Sequence, residues 1–200
     1  HLELAREAAA KSLVLLKNND QLLPLRVKRI LVTGPLADTT EILGDWVKSA
    51  QQRGVETIAE SIRRLAPAAD TIDFSQCASI RKNGSDEVDA ACCAAVDADA
   101  AVVCVGENSF RWSVERKTSG ENCDRASLEL PGNQVELVKR IADTGTPTIV
   151  VIVTSRANAI PVVADVADAI LIAWEPGMFS GEAIANAVFG SCPPSGRLPV

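Results

Sequence analysis

The chain has 200 residues, 47% of them hydrophobic and 23% charged, which suits one soluble globular domain with a sizeable core. Its net charge is −6, with no basic patch to offset phosphate, which argues against a nucleic-acid partner; no apolar run reaches the roughly 18 residues of a membrane span. One histidine, His1, and six cysteines without a C-x-x-C pair disfavour both a zinc site of ordinary spacing and a Ser-His-Asp triad. The chain begins at His1 rather than Met and stops after Pro199-Val200, which reads as a domain cut from a longer polypeptide. The lack of a signal peptide therefore carries no information about compartment.

In chain order, residues 2–17 are rich in Ala, Leu, Glu and Lys and predict a helix, with Glu7 and Lys11 spaced for an i,i+4 pair. Asn18-Asn19-Asp20 ends it, and Leu22–Leu25 leads into a strand over Arg29–Val32, closed by Gly34-Pro35. A loop from Leu36 to Gly54 carries Gly44-Asp45-Trp46. Val55–Leu65 has apolar residues at helical spacing. A short strand follows at Thr71–Phe74, then a helix over Asp86–Ala95 capped near Ser85. Ala100–Val105 and Thr148–Val153 read as buried strands, separated by a long polar loop and a helix over Gln134–Ala142. Pro161–Val166 is a short helix, Ala169–Trp174 a strand and Gly181–Phe189 a helix, before a turn-rich tail. Cys104 in its strand and Cys92-Cys93 in their helix read as small buried hydrophobes, and one disulfide is compatible with the six cysteines without being assignable.

Strands alternate with helices, and the main strands are apolar throughout instead of alternating. That pattern predicts a parallel sheet covered by helices on both faces, the layering of flavodoxin-like and Rossmann-like folds. Site-bearing loops then gather at the carboxyl ends of the strands: Gly34–Gly54, Gly106–Pro131, Thr154–Asn158 and Trp174–Gly181. No strand is followed by G-x-G-x-x-G, and no G-x-x-x-x-G-K-[ST] occurs, which disfavours a nucleotide binder.

The loop Gly106–Pro131 holds the richest chemistry. It carries Glu107, Glu115, Glu121 and Asp124, together with Phe110, Trp112 and Arg125, a set that suits a sugar face and a hydroxyl-binding pocket. With histidine absent from the body of the chain, carboxylates are the available acid and base groups. Glycoside hydrolysis uses two, one to protonate the leaving oxygen and one to attack or to activate water. Glu121 lies between Gly120 and Asn122 and can project from the loop, with Arg125 placed to orient it or to bind a hydroxyl. Each residue also has a plainer reading: Glu121 as a solvated loop residue, Glu107 as a loop anchor accepting backbone N–H bonds, Trp46 and Trp112 as packing, and Trp174 as core.

Taken in order, these pieces resemble the second domain of glycoside hydrolase family 3, the β-glucosidase-like enzymes. The resemblance runs nearly end to end: Ala5–Asn18 with Leu22–Leu25, Gly34-Pro35 with Ala37-Asp38, Leu43-Gly-Asp-Trp46, Val105-Gly-Glu107, Ser119-Gly-Glu-Asn-Cys-Asp-Arg125, Trp174-x-Pro-Gly177, Gly181-x-Ala-Ile184, Phe189-Gly190 and Pro194-Ser-Gly-Arg-Leu-Pro199. It implies an α/β fold, a three-layer α/β/α sandwich with a mostly parallel sheet of about six strands, packed beside a TIM barrel of the same polypeptide. It also implies a retaining, exo-acting β-glycosidase, with β-glucosidase the leading activity. The barrel would supply an Asp nucleophile, and these 200 residues alone would be inactive. Glu121 matches the family's general acid/base, with Glu115 as a second candidate. Trp46 matches an aromatic beside the leaving-group sugar, and Phe110, Trp112 and Arg125 are further candidates for substrate contact. The implied partner is an oligosaccharide or glycoside; no cofactor, metal, nucleic acid or membrane is implied, and the compartment leans to periplasmic or secreted. A non-catalytic carbohydrate-binding or scaffolding module is the alternative. Two loops depart from the family pattern: Thr154-Ser155-Arg156-Ala157 stands where S-G-R-P is usual, and Met178-Phe179-Ser180-Gly181 replaces a glycine-rich turn.

Overall fold

Six strands build one sheet in the order β1-β6-β5-β4-β2-β3. They are β1 (Val14–Asn18), β2 (Arg29–Thr33), β3 (Thr71–Ser75), β4 (Ala100–Gly106), β5 (Thr148–Val153) and β6 (Ala169–Ala173). The structure, a computed structural model, describes residues 1–48, 54–66, 71–75, 77, 79–81 and 84–199; residues 49–53 of the loop after β2 and Val200 of the tail lie outside them. All neighbouring strands pair in parallel except β1, which runs antiparallel to β6. The helices are α1 (Leu2–Ser12), α2 (Ile58–Leu65), α3 (Ser85–Val96), α4 (Gln134–Ala142), α5 (Pro161–Val166) and α6 (Ser180–Phe189). No helix among the described residues is long and apolar enough to cross a membrane.

The layering follows from the two-residue period of a strand. In β4, Ala100, Val102 and Cys104 join a core with Ile58 and Ile62 of α2, Ala9 of α1, and Ile184 and Val188 of α6. The intervening Ala101, Val103 and Val105 join the opposite core with Val88 and Ala91 of α3, Leu137 and Ile141 of α4, and Val163 of α5. Every residue of β4, β5 and β6 is buried, as their unbroken apolar runs require. Each such Val, Ile or Leu side chain contributes about 1.5–3 kcal/mol through burial.

The expected three-layer sandwich is therefore present, but the helix predicted over residues 2–17 is not. It stops at Ser12, whose hydroxyl donates to the Ala9 carbonyl (2.8 Å), and Leu13 turns extended at φ −70°, ψ 134°. Val14–Asn18 instead pairs with β6 and becomes the sixth strand. The open edge of β6 offers backbone partners that outweigh the helix propensity of the Leu- and Lys-rich run. Other boundaries move by a few residues. Helix α2 starts at Ile58 because Thr57 caps it: Thr57 Oγ1 accepts from Glu60 N–H (3.2 Å) and Thr57 N–H donates to the Glu60 carboxylate (2.8 Å). Helix α3 is capped at Gly84, whose N–H donates to Glu87 (3.0 Å).

The thiol expectations hold in part. Cys104 is buried, whereas Cys92 is half-buried and Cys93 faces solvent, since neighbouring residues of a helix cannot both face the sheet. All six thiols are free.

The exit from β4 sets the origin of the site. Gly106 has φ +142°, and a Cβ there would lie 1.8 Å from the Val153 carbonyl oxygen, which instead accepts from Glu107 N–H at 2.9 Å. Gln134, fully buried at the start of α4, closes the other side. Its Oε1 accepts from Gly106 N–H (2.8 Å), and its Nε2 donates to the carbonyls of Gly106 and Pro131 (both 2.9 Å). Both ends of the long loop are thereby held by one amide. Gln134→Leu, which keeps the volume and removes these bonds, is expected to cost about 3 kcal/mol by leaving buried backbone groups unpaired. A urea midpoint within error of the parent would contradict this.

Candidate active site

Residues 107–131 contain no helix or named strand, so turns and side chains share the pairing of their backbone. Asn108 folds the loop back on itself. Its N–H donates to Thr118 Oγ1 (2.9 Å), its carbonyl accepts from the N–H groups of Thr118 and Ser119 (2.7 and 3.2 Å), and its Oδ1 accepts from Phe110 N–H (2.8 Å). Asn108 Nδ2 then donates to Glu41 of the loop after β2 (2.6 Å), tying the two loops together.

Below this fold lies Glu107, 2% exposed. It anchors the loop as expected, but through arginines. Arg156 donates from Nε and a terminal nitrogen (2.6 and 3.0 Å), and Arg125 donates to the same carboxylate (2.6 Å). A buried carboxylate needs such paired donors to offset its lost hydration. Arg156 also reaches the Thr118 carbonyl (3.0 Å), so the Thr154–Ala157 loop keeps an arginine in contact with the long loop despite its departure from S-G-R-P.

Above it, Glu121 sits on the surface, its side chain 46% exposed. Its backbone is held at both ends. Glu121 N–H donates to Asp45 Oδ2 (2.6 Å), and the Glu121 carbonyl accepts from Lys117 Nζ (2.7 Å). Lys117 also donates to both Asp45 oxygens (3.1 Å each). Gly120 makes this approach possible: at φ +86°, a Cβ there would meet Asp45 Oδ2 at 2.8 Å. The Glu121 carboxylate pairs with Arg111, whose guanidinium lies 3.7 Å from the centre of the Trp46 ring and whose Nε is 3.5 Å from Asp45. Burial alone would push the Asp45 carboxyl up, but the Glu121 N–H, Lys117 and Arg111 together hold it below the ordinary range. Its contribution to stability is complete above the usual aspartate value and fades as pH falls through the lowered one.

The predicted residues thus separate. Glu121, Trp46 and Trp112 share one surface: Trp46 is 76% exposed and Trp112 60%, and Trp112 Nε1 donates to the Val47 carbonyl (2.9 Å). Phe110, 3% exposed, turns its ring into the protein and offers no face to a sugar. Arg125 orients Glu107 instead of Glu121, and it lines a neighbouring cleft of about 280 Å³ with Arg81, Thr118 and Asp124. The Glu115 turn is tied to the segment before α3, its carbonyl accepting from Arg81 Nε (3.0 Å). Trp174 is half-buried against the core of α3, α4 and α5. Sequence reasoning missed Asp45, Arg111, Lys117 and Glu175. Asp45 and Glu175 stand inside the quoted Gly44-Asp-Trp46 and Trp174-x-Pro-Gly177 segments, but their roles depend on contacts far along the chain.

Glu175, at φ +45° just beyond β6, accepts from Ser109 Oγ on the long loop. Burial pushes its carboxyl above the ordinary range; the Ser109 bond works against this, and the charges of Asp45 and Glu107 add to it. A raised folded value favours the fold below the usual glutamate range, and that advantage is lost as pH rises through the folded value. Glu175→Gln, which keeps an acceptor for Ser109, is therefore expected to raise the melting temperature at neutral pH and to match the parent in acid. A difference independent of pH between 4 and 8 would contradict this assignment.

The profile of the glycosyl hydrolase family 3 C-terminal domain matches residues 13–200. A β-xylosidase of Formosa agariphila is 34% identical over 99% of this chain, and a periplasmic β-glucosidase of Salmonella typhimurium is 30% identical over all of it. The chain spans 28% of each of those proteins. Among solved structures, the β-glucosidase of Listeria innocua superposes with a TM-score of 0.85 at 27% identity, covering 96% of this chain and 25% of that one. A family 3 exo-β-xylosidase in complex with a xylobiose aziridine probe superposes with a TM-score of 0.86 at 26% identity, covering 98% and 25%. The chain belongs to the C-terminal domains of glycoside hydrolase family 3.

Proposed function

We propose that this domain supplies the general acid/base of a retaining, exo-acting β-glycosidase, and that Glu121 is that group. The observation that carries the reading is a solvent-facing carboxylate on a backbone clamped at both its N–H and its carbonyl, linked through Arg111 to the exposed ring of Trp46. In this reading a TIM-barrel domain of the same polypeptide contributes an aspartate nucleophile. Trp46 and Trp112 form an aromatic platform for the leaving-group sugar. The sugar removed is a terminal non-reducing glucose; the relatives named β-xylosidases make xylose the sugar to compare.

The chemistry has two balanced steps. The aspartate carboxylate bonds to the anomeric carbon while the glycosidic C–O bond breaks, and the Glu121 carboxyl delivers its proton to the departing oxygen. Glu121, now a carboxylate, takes a proton from water as the water oxygen bonds to the anomeric carbon and the aspartyl ester breaks. Configuration is retained because each step inverts.

The test is Glu121→Ala in the full-length enzyme with dinitrophenyl β-glucoside and β-xyloside, whose leaving groups depart without a proton. Turnover is expected to fall about 10²–10⁴-fold at the deglycosylation step. Azide should restore it and yield a glycosyl azide of retained configuration. Unchanged kinetics would remove Glu121 from the chemistry and transfer the same test to Glu115.

A further inference from the structure

We infer that Asp45 is a positioning residue for the acid/base, acting on Glu121 through its peptide backbone; this rests on the reading of Glu121 given above. The Asp45 side chain is only 11% exposed, and both of its oxygens are engaged by the residues that surround Glu121. Oδ2 accepts the Glu121 N–H at 2.6 Å. Lys117, held by both carboxylate oxygens at 3.1 Å, donates to the Glu121 carbonyl at 2.7 Å. Asp45 and Lys117 therefore grip the two peptide groups on either side of the Glu121 Cα. Gly120, at φ +86°, is the residue that lets the carboxylate come this close, since a Cβ there would lie 2.8 Å from Oδ2 and 3.2 Å from the Ser109 Cβ. A glycine immediately before the acid/base thus has a steric reason here.

The side chain of Glu121 is held quite differently. Its carboxylate pairs with Arg111, 30% exposed, at the protein surface, where solvent weakens such a pair. Arg111 covers one face of Trp46, its guanidinium 3.7 Å from the ring centre, so a sugar that takes that face displaces it. Once Arg111 lets go, the placement of the Glu121 carboxyl depends on its Cα, and the Cα is fixed by Asp45 and Lys117. Asp45 needs no contact with substrate to affect proton transfer, because a small misplacement of an acid is costly in rate.

The test uses the full-length enzyme with Asp45→Ala, Asp45→Asn, Glu121→Ala and the double variant Asp45→Ala/Glu121→Ala. Each is assayed for kcat/KM on a phenyl β-glycoside, which needs a proton to leave, and on the dinitrophenyl glycoside, which does not. Asp45→Ala is expected to lose about 10–100-fold on the phenyl substrate, at least tenfold more than on the dinitrophenyl one. Asp45→Asn keeps an acceptor for the Glu121 N–H and should recover part of the loss. The double variant should be no slower on the phenyl glycoside than Glu121→Ala alone. Equal losses on both substrates, or losses that multiply in the double variant, would show that Asp45 does not act through Glu121. If Asp45→Ala does not fold, Gly120→Ala, which drives a methyl group onto Asp45 Oδ2, carries the same comparison. Loss in Glu121→Ala without a selective loss in the Asp45 or Gly120 variants overturns the positioning role alone. A Glu121→Ala enzyme with full activity on the phenyl glycoside overturns the acid/base reading itself.

Discussion

The carboxylate of Asp45 joins two loops that share no strand pairing among the described residues. One follows β2 and carries Trp46; the other follows β4 and carries Glu121. Both leave the same end of a parallel sheet, so they start close together. What keeps them in register is a largely covered anion that accepts a backbone N–H and a lysine across the gap. The Asn108–Glu41 bond at 2.6 Å and the Arg116–Glu41 pair reinforce the same seam from the other side. Remove the Asp45 anion and Glu121 keeps the Lys117 bond to its carbonyl and its surface pair with Arg111, while Lys117 itself loses both carboxylate partners.

The carboxyl end of the sheet is correspondingly rich in charge. Asp45, Glu107 and Glu175 are gathered beneath the loops, and Lys117, Arg125 and Arg156 compensate them. The three acids are not equivalent. Asp45 is held ionised by donors on several sides, and Glu107 is bracketed by two arginines. Glu175 meets a hydroxyl and two like charges, and its carboxyl is pushed up. Compensation by fixed donors lets the loops stay open to solvent at Glu121 and Trp46 while their bases remain rigid.

The central strands were legible because they lie in the middle of the sheet. Ala100–Val105 and Thr148–Val153 are apolar without alternation, and only burial on both faces accounts for that. The strand Val14–Asn18 was not legible. Its residues make as good a helix as α1, and the decision belongs to the distant edge of β6, which no local pattern encodes. The candidate site divides in the same way. Ser119-Gly120-Glu121 and Trp46 could be read as an ordered series of motifs, whereas the partner of Arg125 could not. The motif places Arg125 four residues from Glu121, yet the fold carries its guanidinium under the loop to Glu107. Phe110 failed for a related reason: an aromatic in a polar loop can serve as its buried peg as readily as its exposed face. Asp45 escaped notice because its partner lies 76 positions away.

The position of Glu121 depends most directly on the bond between the Asp45 carboxylate and the Glu121 amide, and hydrogen exchange at that amide measures it. Glu121 is exposed and belongs to no helix or strand, so without the bond its amide should exchange as fast as in an unstructured peptide. With the bond, exchange should be slower by about tenfold or more at neutral pH, and Asp45→Ala should abolish the difference. An amide that exchanges at the unstructured rate in the parent protein would contradict the clamp, and with it the claim that Asp45 sets the position of Glu121.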